Sequence, residues 1–250
     1  AGVVASPPQG RVWLHALSRC DDRVDVGQLA PEHPRLADRL TVLDQEGVAV
    51  SMGSAYTAAA DGVNSISYNP AGLASLKGVE FGFSHTNWLL DSKHDFLGLG
   101  MPLKTVGLRP AGNWALGLGV TRLTSGSLES RGADRLASGS FNAYDQSISI
   151  VLARSLGGSR VGMAAKYIEG SIAGEKARAV AVDVGATRDL GNLPVSLGLS
   201  VQNLGTPMKY IDQKDPLPLT FATGLLFSVA PGFSMALDVK RLIYDKQTDV

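Results

Sequence analysis

From residue 79 onward, apolar and polar residues alternate with a period of two, which is the pattern of β-strands rather than of helices. In 113–124, for example, Trp114, Leu116 and Leu118 alternate with alanine and glycine. The pattern predicts nine strands, at 79–88, 95–103, 113–124, 144–155, 159–170, 178–190, 195–204, 219–229 and 232–244. They are 9–13 residues long, whereas strands of soluble proteins average ~5–6 residues. A tilted strand that crosses a lipid bilayer needs ~9–11 residues.

The two faces of these strands differ in residue size more than in charge. One face carries large aliphatic and aromatic side chains, and the other carries glycine, alanine, serine, threonine and a few charges. This distribution fits a narrow or plugged membrane barrel whose apolar face lies on lipid. The large residues expected to point outward are Trp114, Leu116, Leu118, Leu197, Leu199, Leu225, Phe227, Met235 and Leu237. Those expected to point inward are Gly117, Gly119, Gly198, Ser200, Gly224, Ala236 and Asp238.

The connections between the predicted strands alternate in length after the third strand. The long ones are 125–143, 171–177 and 205–218, and the short ones are 156–158, 191–194 and 230–231. Outer-membrane barrels have short periplasmic turns and longer extracellular loops. We therefore expect the long set at the extracellular end, although the first two connections, 89–93 and 104–112, break the pattern.

Composition narrows the possible classes of protein further. Lys+Arg and Asp+Glu both total 23, so the formal net charge is zero, and there is no basic excess of the kind that nucleic-acid binding requires. Glycine makes up 29 of the 250 residues, and charged residues make up 18% against a usual ~25%. The sequence contains no run of 18 apolar residues, so it predicts no membrane-spanning helix. A single cysteine, Cys20, excludes an internal disulfide.

The sequence has no recognisable catalytic or metal-binding signature. The four histidines show no metal-type spacing, and no nucleophile elbow accompanies His94 and Asp95. We expect His85 and His94 to be ordinary strand-end or loop residues. We accordingly predict no enzymatic activity, no cofactor and no metal.

Residues 1–46 differ from the rest of the chain. They contain Pro7, Pro8, Pro31 and Pro34, and no signal peptide is visible within them. Spacing of Leu36, Leu40 and Leu43 allows one short helix. Lipidation of Cys20 is disfavoured because Arg19 stands where a small residue is needed. We expect an irregular, ill-ordered leader here.

The segment 52–76 is rich in small residues and ends in a tight turn at Asn69-Pro70-Ala71-Gly72. It resembles the N-terminal signature of the PorV/PorQ family of outer-membrane proteins, relatives of the FadL-type channels for hydrophobic compounds. The matching positions are Gly53, Ala55, Tyr56, Ala58, Asp61, Asn69, Pro70, Ala71, Gly72 and Leu73. A second, weaker motif matches at Gln202, Asn203 and Gly205, within 201–205.

The resemblance implies a particular organisation. Residues 47–78 would form a plug or hatch segment, and residues 79–250 would form an antiparallel up-and-down transmembrane β-barrel in the outer membrane of a Gram-negative-type bacterium. The partners would be the lipid bilayer and either hydrophobic small molecules or secreted proteins. The implied function is transport of hydrophobic compounds, or service as a shuttle or anchor in protein secretion.

Two further expectations follow from the strand pattern. Single-chain bacterial barrels have even strand numbers, so either closing strands follow position 250 or one of the nine is miscounted and eight strands close. We favour further strands. The alternative to a membrane barrel is a secreted β-sandwich of structural or adhesin-like type. It would behave as a soluble protein without detergent.

Overall fold

The computed structural model describes residues 2–5, 12–15, 49, 52–87, 91–107, 113–131, 137–210, 213–230, 233–243 and 248–249. Nine long strands form one antiparallel sheet in chain order. They are β1 (Glu80–Asn87), β2 (Lys93–Pro102), β3 (Asn113–Thr124), β4 (Ala143–Ser155), β5 (Ser159–Ile172), β6 (Glu175–Asp189), β7 (Val195–Gly205), β8 (Thr220–Ala230) and β9 (Phe233–Leu242). The prediction of an all-β antiparallel meander with nine strands is confirmed.

Short elements extend the edge of the sheet at β9. Gly2–Ala5 and Val12–His15 form a hairpin, and its second strand pairs in parallel with the first residues of β9. Thr248–Asp249 pairs with Lys240 and Arg241 near the end of β9. In the part of the chain that the structure describes, β1 pairs with β2 alone. The predicted helix at 36–43 and Cys20 lie outside the described residues, and the division of the chain into leader, plug and barrel stays a prediction.

The predicted faces of the strands are confirmed by their burial. In β4 and β6, buried and exposed residues alternate along almost the whole strand. Leu199, predicted to point outward, is 60% exposed, while its neighbours Gly198 and Ser200 are buried. Trp114, Leu225 and Ala236 are half-buried and so fit the pattern less sharply.

Residues 52–76, which we call the inner segment, cover one face of this sheet. We call this the inner face, and the opposite face is the outer face. The segment contains two 3₁₀ helices, Val63–Ser67 and Pro70–Ser75. The second helix contacts four neighbouring strands, β3 to β6. Its Leu73 is fully buried together with Val63, Ile66, Val151 and Ala164, which form the main apolar cluster.

One predicted connection is wrong. The expected long gap at 171–177 is a turn of two residues, Ala173 and Gly174, because β5 and β6 continue to pair up to Ile172 and Glu175. Both turn residues have positive φ, 53° and 89°. Two positive φ values define a tight turn whose twist matches that of the paired strands. An alanine gave no sequence signal for such a turn.

The antiparallel order fixes which connections share an end of the sheet. Connections 125–142 and 206–219 lie at one end together with the Ala173 turn, as predicted, and each long connection contains a short hairpin. We call this the long-loop end. Connections 156–158 and 190–194 lie at the other end, the short-turn end. Among the helices of the described residues, none has both the length and the apolar character of a membrane-spanning helix.

Candidate functional site: the inner segment and the outer face

Asn69 is the central polar residue of the inner segment. It is fully buried, and its side-chain oxygen accepts a hydrogen bond from the backbone N–H of Ala71 at 3.2 Å, which caps the Pro70–Ser75 helix. Its amide nitrogen lies 2.8 Å from the Thr57 carbonyl oxygen, 3.2 Å from that of Leu199 and 3.3 Å from that of Ala186. Asn69 therefore connects both halves of the segment to strands β6 and β7.

The sheet supplies further polar contacts to the segment. The Asp238 carboxylate accepts a hydrogen bond from the Thr57 backbone N–H at 2.8 Å, and the Glu80 carboxylate accepts one from Val63 at 2.8 Å. The Ser200 hydroxyl donates to the Tyr68 carbonyl at 3.0 Å. Buried backbone N–H and C=O groups require hydrogen-bond partners. The contacts with the sheet provide such partners for a segment that has little regular secondary structure.

The other residues of the first motif fall into two groups. Tyr56 stacks edge-on against Tyr68 with 5.2 Å between ring centroids, and its hydroxyl donates to Asp61 at 3.1 Å. Gly53 has a φ of 63° and is exposed in a turn.

Pro70, Gly72 and Leu73 lie in the buried helix. A side chain at position 72 would meet the Ala60 carbonyl and Ser65, so the glycine permits this approach. Ala55 is half-buried next to Tyr56.

Glycines on the strands allow the segment to lie directly on the sheet. A Cβ atom at Gly198 would lie 2.6 Å from backbone atoms of Ala58, and one at Gly162 would overlap the backbone of Pro70. Other inward glycines whose added Cβ would meet this segment are Gly82, Gly98, Gly100, Gly117, Gly119, Gly185 and Gly224. The unusual glycine content therefore has a local cause, which is the close packing between sheet and segment.

The second motif lies partly beneath the segment and partly at a β-bulge. Gln202 donates from its amide to the carbonyl oxygens of Ser67, at 3.1 Å, and of Tyr68. Asn203 has a φ of 60°, and the register of β6 and β7 shifts beside it. Gly205 leaves room for the backbone of β6, which a side chain at this position would meet.

A buried ion pair accompanies the bulge. Lys166 Nζ lies 2.6 Å from Asp183, and the same carboxylate accepts a hydrogen bond from the Asn203 backbone N–H at 2.7 Å. The Asn203 side chain in turn accepts from Lys166 at 3.3 Å. The motif thus provides structural contacts, and sequence reasoning did not identify Lys166 and Asp183 because they lie on other strands.

The two strand histidines do not share a site. His85 Nδ1 lies 2.6 Å from the Asp95 carboxylate on the outer face, where both side chains are partly exposed. His94 is buried on the inner face. The described ranges contain no group of three His, Cys, Asp or Glu side chains arranged to hold a metal. The predicted absence of metal, cofactor and enzymatic activity stays a prediction.

A row of polar side chains crosses the outer face near the long-loop end. The strand register aligns these residues from β1 to β6, in the order His85, Asp95, Arg122, Gln146, Glu169 and Arg178. Arg178 Nε donates to Glu169 at 3.0 Å, and the Tyr144 hydroxyl donates to the same carboxylate at 2.9 Å. We call this set the polar row.

Three rows of mainly large apolar residues follow the polar row toward the short-turn end. The first consists of Phe83, Leu97, Val120, Ile148, Tyr167 and Val180. The second consists of Phe81, Leu99, Leu118, Ile150, Ala165 and Val182, and the third of Met101, Leu116, Leu152, Met163 and Val184. We call these rows the apolar band. Phe83 is 68% exposed and Ile150 57% exposed, although soluble monomers rarely expose so continuous an apolar surface.

Arginine–aromatic pairs stand on both sides of the apolar band. The Arg122 guanidinium lies 5.1 Å from the ring centroid of Tyr144 at the long-loop end. The Arg154 guanidinium lies 5.1 Å from the Trp114 ring at the short-turn end. Aromatic and cationic side chains at both edges are typical of a face that crosses a lipid bilayer.

The structure is of the all-β class and consists mainly of one antiparallel sheet with nine long strands. The inner segment covers one face of the sheet, and the opposite face is largely apolar. The chain belongs to the uncharacterised protein family UPF0164, whose sequence profile matches residues 27–167. The match includes the inner segment and strands β1 to β4. No curated protein matches the chain. The likeness to the PorV/PorQ family remains a resemblance of the motif residues.

Proposed function

We propose that this chain forms the wall of an outer-membrane β-barrel of PorV/PorQ or FadL type, with the segment 52–76 inside the lumen. The exposed apolar band carries the proposal. Lipid is the partner whose chemistry matches a continuous apolar surface between two polar and aromatic edges.

The height of the apolar band supports a bilayer as the partner. On β3 the stretch from Trp114 to Arg122, and on β4 the stretch from Gln146 to Arg154, each span roughly 26 Å at ~3.3 Å per residue. A strand tilt of ~40° reduces this to about 20 Å along the membrane normal, close to the ~25 Å apolar band of outer-membrane barrels.

The burial pattern favours a membrane barrel over a secreted β-sandwich. In a sandwich, the large side chains of a sheet face a second sheet and form the core. Here the described core lies on the other face, where Leu73 and Ile66 of the inner segment pack against small strand residues. The large residues of the outer face therefore need an external apolar partner.

The inner segment bears on the two functional roles that the resemblance implies. Asn69, Ser200, Gln202 and Asp238 hold the segment on the sheet through buried hydrogen bonds. Transport of hydrophobic compounds through the lumen would have to proceed past this segment or displace it. Service as a shuttle or anchor for secreted proteins would need no displacement, so the fixed segment favours the second role.

Detergent dependence tests the proposed class. The full-length protein should remain monodisperse only in detergent or lipid, and it should migrate faster on gels before heating than after heating. A protein that stays monodisperse without detergent, with an unchanged β-sheet spectrum, would support the secreted sandwich.

A deletion strain tests the role. Loss of secreted proteins from the cell surface, with unchanged uptake of a long-chain hydrophobic compound, is expected for the shuttle or anchor role. Loss of uptake with an unchanged surface would show that the protein serves in transport.

A further inference from the structure

An apolar groove of about 470 Å³ crosses the outer face near the short-turn end. The groove lies over strands β3 to β7. The large residues that line it include Trp114, Met163, Val184 and Leu199.

The groove has a simple cause in the sequence. Ala186 stands in the register position between Val161 on β5 and Leu199 on β7, both of which carry branched side chains. A single methyl group between two larger neighbours leaves a depression, and the strand backbone at Gly162 and Gly185 forms part of the floor. The volume is in the range of sites that bind small molecules, ~300–1,000 Å³.

One charged residue lines this apolar groove. Arg154 lies at its edge, stacked on Trp114. The Arg154 Nε atom is buried, and it makes no hydrogen bond within the described part of the chain. No carboxylate of the described residues lies within ion-pair distance of Arg154, whereas Arg160 at the same end is 3.7 Å from Asp189. A buried guanidinium donor without an acceptor is costly, and phosphate is an acceptor that suits its geometry.

We propose that this groove is a binding site for an anionic phospholipid. One acyl chain would lie along Met163, Ala186 and Leu199, and the phosphate would accept hydrogen bonds from the Arg154 guanidinium. The site rests on the proposed function, because an acyl chain reaches it only if the outer face lies in lipid. In an anionic phospholipid, the negative charge of the phosphate is available to pair with Arg154. In a zwitterionic phospholipid, the choline cation neutralises the phosphate and competes with Arg154 for it.

Trp114 provides a direct probe of the site. In full-length protein carrying Trp13→Phe and Trp88→Phe, Trp114 is the remaining tryptophan, and bromine atoms on a lipid acyl chain quench tryptophan fluorescence on contact. The protein is reconstituted in phosphatidylcholine vesicles that contain a small fraction of brominated phosphatidylglycerol or, in parallel, brominated phosphatidylcholine. Half-maximal quenching should require a roughly fivefold lower fraction of the anionic lipid, as expected for one arginine at an anionic headgroup.

Three variants separate the groove from general surface charge. Arg154→Gln should abolish the preference for the anionic lipid, and Arg160→Gln should retain it because Arg160 does not line the groove. Ala186→Leu fills the floor while Arg154 stays in place, and it should also reduce quenching by the anionic lipid.

Each other outcome counts against a defined part of the account. Equal quenching by both lipids, or a preference that persists in Arg154→Gln, would overturn the lipid site and leave the membrane proposal intact. Absence of quenching even in vesicles made entirely of brominated phosphatidylcholine would overturn the membrane location of the outer face together with the site.

Discussion

At the scale of single residues, Asn69 shows what the sequence could and could not indicate. The Asn-Pro pair predicts a tight turn, and Asn69 does begin a helix in which Pro70 occupies the first position. Its contacts with the carbonyls of Ala186 and Leu199 join residues more than a hundred positions apart. No local pattern predicts such pairs, so the turn was predictable and its anchoring role was not.

Replacement of Asn69 tests that anchoring role. Asn69→Ala should lower the free energy of unfolding by about 1–3 kcal/mol, since buried carbonyl groups lose their donor. Asn69→Asp should be worse, because a carboxylate would face carbonyl oxygens. Urea unfolding in detergent measures both, and Asn113→Asp at an exposed strand start is the matched control. Equal stability of Asn69→Asp and the original protein would show that these contacts contribute little.

Gly198 tests the close packing of segment on sheet. Gly198→Ala places a methyl group 2.6 Å from Ala58, so the segment must shift, and a loss of about 1–3 kcal/mol is expected. Gly78→Ala is the control, because a Cβ there meets open space.

Thiol labelling gives a second reading of the Gly198 variant. A cysteine at the buried position Ser67, in a Cys20→Ser background, should resist bulky aqueous reagents and become reactive in Gly198→Ala. Ser54 is half-buried and should react more readily than Ser67. Fast labelling at position 67 in the original protein would contradict the packed segment.

At the scale of elements, periodicity predicted the strands well because one face is small and the other large. The bounds of β3 match the prediction at both ends, and those of β1 differ by one residue at each end. Turns were harder to predict, because the backbone at Ala173 adopts a φ of 53° without a glycine or asparagine to signal it. The extra hydrogen-bonded pairs beside Ala173 then shorten the connection.

The Ala173 turn yields a prediction of increased stability. Asparagine and glycine tolerate positive φ better than alanine, so Ala173→Asn and Ala173→Gly should each raise the free energy of unfolding by about 0.5–1 kcal/mol. Ala173→Val should lower it, since a β-branched residue is strained there. Thermal unfolding in detergent is a suitable measurement. A stabilising effect of valine would show that the turn adopts another conformation in the protein.

At the scale of the whole molecule, the sheet reverses the usual arrangement of a soluble protein, in which the large apolar residues of a sheet are buried in the core. The small residues, including Gly198 and Ser200, lie against the inner segment, and the large residues, including Ile150 and Leu118, face outward. Sequence periodicity predicted this separation of faces. What each face contacts was harder to predict from the sequence, because it depends on the fold of residues 52–76 and on what surrounds the molecule.

Charge on the apolar band tests its environment. Ile150 lies midway between Gln146 and Arg154 on β4, so Ile150→Arg should cost ~2–4 kcal/mol in a bilayer. Gln146→Arg, on the same strand and face within the polar row, should cost less than about 1 kcal/mol. Urea unfolding from lipid vesicles compares the two. An arginine tolerated equally well at both positions would indicate that the apolar band lies in water.

A depth profile along β4 in lipid vesicles tests most directly whether the outer face lies in lipid. Single cysteines at 146, 148, 150, 152 and 154, in a Cys20→Ser background, carry nitroxide labels, and collision with oxygen is compared with collision with a water-soluble nickel complex. We expect the oxygen preference to be greatest at 150 and to fall toward both 146 and 154. A label at the exposed Lys214 serves as the aqueous reference. A flat profile, with position 150 as accessible to nickel as position 214, would contradict a lipid-facing outer surface.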